Sequence, residues 1–91
     1  MDKDQFRKAV ADSRLPKAAL ARLYNVTRPT IYAWLDDGEP KNASLAAHAE
    51  RVTRALLLAV SRRILPFPES VGPKSRAHHI ERMYQALTNA K

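Results

Sequence analysis

Ninety-one residues without a cysteine allow one small domain and exclude both a disulfide framework and a thiolate metal site. Sixteen Lys+Arg against nine Asp+Glu leave a net charge of +7, which points toward an anionic partner; 45% hydrophobic residues with two glycines exclude a Gly-rich or disordered chain. No run approaches the ~18 apolar residues of a membrane span, and the opening Met1-Asp2-Lys3-Asp4 is too acidic for a signal peptide, so a cytoplasmic protein with no membrane partner is expected.

Helical periodicity dominates the chain, with no repeat, no alternating strand pattern and no Asn-Gly or Asp-Gly hairpin signal. A first helix is predicted from about Lys3 to Arg14, capped by Asp2 with Gln5 completing a weak capping box, its inward stripe being Phe6, Ala9 and Val10. Pro16 suits the first turn of a second helix, which runs to about Tyr24 and stops at Asn25, a residue that tolerates the left-handed conformation. Thr27 restarts the chain, its hydroxyl placed to accept the Thr30 N–H, while Pro29 has no N–H to leave orphaned. The third helix covers about Arg28 to Leu35 and is closed by Asp36-Asp37-Gly38 and Pro40. Asn42 or Ser44 caps a fourth helix reaching about Ile64, roughly 30 Å long, until Pro66 and Pro68 break it. After Gly72-Pro73 a fifth helix spans about Lys74 to Asn89, which makes an all-α domain of five helices.

The stretch from Lys17 to Asp36 is the most constrained. Two short helices joined by a three-residue turn cross steeply, which demands a small residue at the closest approach and a left-handed one in the turn. Ala21 and Asn25 meet those demands, and Leu20, Tyr24, Val26, Ile31 and Trp34 fill the wedge between the helices. Tyr24 and Trp34 are therefore read as core. Tyr32 is read as exposed, with packing against the fourth helix as its alternative.

The segments Leu15-Pro16-Lys17-Ala18-Ala19-Leu20-Ala21 and Asn25-Val26-Thr27-Arg28-Pro29-Thr30-Ile31-Tyr32-Ala33-Trp34 resemble the helix-turn-helix of lambda-repressor-like (XRE/Cro) transcriptional regulators of phages, plasmids and bacteria. The likeness covers Leu15 to Asp37 firmly and the flanking helices loosely. It departs at Asn25, where glycine is usual, at Pro16, where Ser or Thr usually caps, and at Asp36, Asp37 and Glu39, acids that follow the recognition helix. The resemblance implies that the third helix enters the major groove of double-stranded DNA while the second lies across the backbone. Thr27, Arg28, Thr30, Tyr32 and Ala33 are then the base-contacting candidates, Arg28 as a bidentate partner of guanine. Lys17, at the positive end of the second helix, is the phosphate candidate, with Lys41, Asn42 and Ser44 as weaker ones.

The second half holds the charge excess. Residues 1–40 carry seven basic and six acidic residues, whereas residues 41–91 carry nine and three. Arg51, Arg54, Arg62, Arg63, Lys74, Arg76 and Arg82 either face an anion or solvate the outer helical faces. On the fourth helix Leu45, Ala49, Val52, Leu56 and Ala59 form a stripe facing the first three helices, but Ala55 to Val60 is apolar all round and needs cover on both sides. Ile80, Met83, Tyr84 and Leu87 form a stripe on the fifth. A hairpin of the fourth and fifth helices that pairs with its copy is expected, with Leu56, Leu57, Val60, Ile80, Met83, Tyr84 and Leu87 in the interface. A monomer closed by the fifth helix is the alternative.

Adjacent His78 and His79 point roughly 100° apart on a helix and cannot share one metal, so no metal or other cofactor is expected. No nucleophile–base order, phosphate loop or carboxylate pair stands out, and an enzyme is not expected. The reading is a DNA-binding repressor with no small-molecule effector. Its rival is a small protein-interaction module, an antitoxin or anti-regulator, that uses the last two helices. RNA binding is a third possibility, against which stacking aromatics are scarce and no RNA-binding signature is present.

Overall fold

The computed structural model describes residues 3–36, 40, 42–68 and 70–89. Five helices follow one another: α1 (Lys3–Ser13), α2 (Lys17–Tyr24), α3 (Arg28–Asp36), α4 (Ala43–Ser61) and α5 (Pro73–Asn89), with no strand among the described residues. The expected all-α class is the class observed. The expected cap Asp2, the Asp37-Gly38 closure and the phosphate candidate Lys41 lie outside the described residues.

Each boundary has a local cause. Pro16 stands just before α2 rather than in its first turn, with φ −65° and ψ 155°, and its side chain offers no cap. Asn25 ends α2 in the left-handed region (φ 59°, ψ 46°); its N–H reaches the Arg22 carbonyl and the Val26 N–H the Ala21 carbonyl, which closes a Schellman turn. Asn42 caps α4, its Oδ1 accepting the N–H of Ser44 at 2.8 Å and of Leu45 at 3.2 Å.

The expectations at Thr27 and at the end of α4 are corrected. The Thr27 hydroxyl bonds the Thr30 hydroxyl at 3.0 Å, while the Thr30 N–H goes to the Thr27 carbonyl at 3.1 Å. Helix α4 ends at Ser61 instead of reaching Ile64. There Arg63 turns left-handed (φ 62°), with Arg63 N–H donating to Val60 and Ile64 N–H to Ala59, so a second Schellman turn stops the helix before the prolines are met.

The core sits where α1, α2, α3 and α4 converge. Phe6, Ala9 and Val10 face inward from α1, as the spacing demands, and meet Leu20, Leu23 and Tyr24 of α2, Ile31 and Trp34 of α3, and Ala49, Val52 and Leu56 of α4. Three rings lock the first three helices together. Phe6–Tyr24 are 5.3 Å apart between centroids, and Phe6–Trp34 and Tyr24–Trp34 are each 5.9 Å apart, all at 74–84°. Such edge-to-face pairs each add about 0.5–1.5 kcal/mol beyond area burial. Among the described residues no buried side-chain polar atom lacks a partner. Burial pushes the Tyr24 phenol up to about 12, partly countered by its 2.7 Å hydrogen bond to Thr53 of α4.

The expected α4–α5 hairpin is not the main arrangement, because α5 lies chiefly along α2 with a smaller contact to α4. Arg22 of α2 spans this seam, its guanidinium 4.1 Å over the Tyr84 ring and 2.9 Å from a Glu81 carboxylate oxygen. That carboxylate, through its hydrogen bond and its charge, holds the Arg22 guanidinium above its usual range. No helix of the described residues is long and apolar enough to cross a membrane.

Candidate nucleic-acid interface

Helices α2 and α3 meet through the turn Asn25-Val26-Thr27, and every wedge position expected to point inward does so. Leu20, Tyr24 and Ile31 are fully buried, Ala21 and Trp34 nearly so, and Val26 half-buried against the core. The opposite face of α3 is consequently outward. Thr27, Arg28 and Ala33 are exposed, Tyr32 is 56% exposed, and Thr30 is half-buried. Tyr32 thus stands in solvent rather than on α4. Four of the five base-contacting candidates share this face; Thr30 lies partly beneath it. Arg28 makes no hydrogen bond or ion pair among the described residues, which leaves its five donors uncommitted.

The backbone candidates divide into two places. Asn42 and Ser44 are exposed at the start of α4, and with Asn25, Leu45 and His48 they line a shallow hollow of about 390 Å³ beside the helix-turn-helix turn. Asn42 uses its carbonyl oxygen in capping and keeps its amide hydrogens for donation. Lys17 is half-buried at the far end of α2, one helix length from that turn.

Two residues that hold this surface carry no sequence signal. From α1, Arg7 sends Nε and Nη2 to the Leu35 carbonyl at 3.0 and 2.8 Å, and Nη2 to the Asp36 carbonyl at 3.1 Å. A cation on those carbonyls satisfies the last turn of α3 and complements its dipole. From α4, His48 Nε2 lies 2.9 Å from the Leu23 carbonyl. A carbonyl only accepts, so Nε2 carries the proton there, and the bond ties α4 to the last turn of α2. Hydrophobic patterning finds buried apolar residues but is blind to a guanidinium that reaches 28 residues along the chain.

The expected self-association surface is redrawn. Leu56 is fully buried and Ile80 is 7% exposed, so neither stands on an outward face of the subunit. Their stripes are consumed by α1–α3 and by α2. Leu57, Val60, Met83, Tyr84 and Leu87 are half-buried against the same core. The large apolar side chains standing clear near the end of α4 are instead Leu58, 50% exposed, and Ile64, 56% exposed. Full burial of the Ala55–Val60 run was the wrong demand: Leu58 points outward between Arg54 and Arg62.

No protein-family profile matches this chain, and neither a curated protein nor a solved structure matches it.

Proposed function

We propose that the chain is a sequence-specific double-stranded DNA-binding regulator, a repressor that occupies promoter DNA and excludes other proteins from it. One observation carries the reading: a short helix held rigidly by three aromatic rings turns Thr27, Arg28, Tyr32 and Ala33 to solvent, with a guanidinium uncommitted among the described residues. Such a helix fits the major groove, where Arg28 would take guanine O6 and N7 together, and Tyr32 a thymine methyl or a phosphate. Asn42 and Ser44, beside the turn, and Lys17, at the start of α2, would set register on phosphates. The +7 charge supplies the non-specific attraction.

The repressor acts in this reading as a homodimer, which places two α3 helices on half-sites about 34 Å apart and demands a palindromic operator. Leu58 and Ile64 are the apolar residues available to join the copies. The same two residues favour a second reading, in which they bind a different protein and DNA contact is secondary.

Selection of bound sequences from a random library at about 150 mM salt separates these. A palindrome is the expected product. A single half-site would keep the reader and remove the dimer, and folded protein that enriches nothing would leave the protein-partner reading. Arg28→Ala should lose about 1–3 kcal/mol on the selected site and relax one base position, while Lys17→Ala should weaken all sequences alike.

A further inference from the structure

A groove of about 710 Å³ opens between the start of α2 and the first half of α5. This is within the roughly 300–1,000 Å³ range of small-molecule sites. Leu15 and Ile80 form its apolar floor, and Phe67, from the loop before α5, forms part of a wall. Among the described residues its charges are unbalanced. Of the three guanidiniums that line it, Arg22 is paired with Glu81. Arg76 donates Nε to the Val71 carbonyl at 2.9 Å and Nη2 to the Pro68 carbonyl at 3.4 Å. Carbonyls fix that side chain in place without cancelling its charge, and Nη1 is left over. Arg14 has no partner among the described residues and projects from a left-handed residue, φ 52°, at the groove rim. A concave apolar surface with two guanidiniums that make no ion pair among the described residues favours a ligand that is apolar along its body and anionic at one end.

We infer that this groove binds a small amphipathic carboxylate, its apolar body against Leu15, Phe67 and Ile80 and its carboxylate on Arg14 and Arg76. This inference is independent of the DNA reading. It assigns a ligand where the sequence leads to none being expected. A small domain needs no separate sensing domain when the groove is built from its own α2, the helix that also carries α3.

The test uses the full chain, labelled with ¹⁵N, titrated with decanoate below its micelle concentration and in parallel with decanol. Decanoate should shift the amides of 14, 15, 17–19 and 76–81 with a Kd below about 1 mM, and decanol should bind at least roughly tenfold more weakly. Arg14→Gly, which suits the left-handed backbone and so keeps the fold, should weaken decanoate roughly tenfold and leave decanol unchanged. Ala77→Trp, at an exposed lining position, should abolish both by filling the groove. Equal affinity for acid and alcohol would overturn the inference, as would no shift at these amides. Groove amides that move on dilution of the protein alone would assign the groove to a second copy and overturn it as well.

Discussion

Helices α1–α3 and helix α5 are held by opposite means. In the first unit three aromatic rings interlock, every wedge position is buried or half-buried, and Arg7 and His48 satisfy helix ends from across the fold. Helix α5, longer than either α2 or α3, buries Ile80 and otherwise leans on half-buried Met83, Tyr84 and Leu87 and on an exposed Arg22–Glu81 pair. Packing is therefore concentrated around the candidate reading helix, while the C-terminal helix docks through contacts that solvent and salt can reach.

Truncating one side chain in each unit should have the largest and most unequal effects. Phe6→Ala removes the ring shared by two of the three aromatic pairs and should cost about 3–5 kcal/mol, enough to unfold a marginal domain. Ile80→Ala should cost about 2–3 kcal/mol and release α5 while the rest stays folded. Near-ultraviolet circular dichroism of the ring cluster separates the two outcomes: lost in the first variant, kept in the second. Equal loss in both would mean that α5 is as integral as α1.

The same unit should leave its mark on alkaline unfolding. The Tyr24 phenol sits at about 12 in the fold, above the ordinary value of 10.0 that the unfolded chain recovers. Its contribution is therefore complete below about pH 10 and disappears as pH rises toward about 12, a loss of about 2–3 kcal/mol. Tyr24→Phe gives up the hydrogen bond to Thr53 and should cost about 1 kcal/mol at neutral pH. It should also lack that alkaline limb, so the difference between the two urea-unfolding free energies shrinks and then reverses above pH 10. A constant difference would mean that the phenol is not desolvated. A smaller effect is expected of Arg7→Ala, which should speed amide exchange in the last turn of α3 roughly tenfold and leave α5 unaffected.

Much of this was legible in the residues, for identifiable reasons. Asn25, Pro16 and Asn42 act within a few positions of themselves, so the boundaries around α2 and the start of α4 follow from local chemistry. The burial of Phe6, Tyr24, Ile31 and Trp34 follows from helical spacing. The partner of α5 was not legible. A stripe of Ile80, Met83, Tyr84 and Leu87 states which face is buried but not against what, and the contacts that join α5 to α2 include Arg22, an ordinary surface residue in the sequence. The Arg7 cap was hidden for the same reason. At the site, the outward face of α3 was readable once the wedge was assigned, whereas the withdrawal of Thr30 and the exposure of Leu58 and Ile64 depend on how neighbouring helices seat.

The end of α4 failed to announce itself because arginine is a poor signal for a left-handed turn. Arg14, Asn25 and Arg63 all sit at positive φ just beyond a helix, in a chain with two glycines. Asparagine takes this conformation readily; for arginine the crowding of Cβ against the following carbonyl costs roughly 1 kcal/mol. Arg63 follows α4 with its side chain exposed. Arg63→Gly should therefore stabilise the domain by about 0.5–1 kcal/mol, less whatever entropy glycine adds to the unfolded chain. Asn25→Gly should gain only a few tenths, because asparagine has already met most of the requirement. Thermal unfolding of the two variants checks the ranking, and a loss of stability in Arg63→Gly would show that this arginine is held by something stronger than its backbone position.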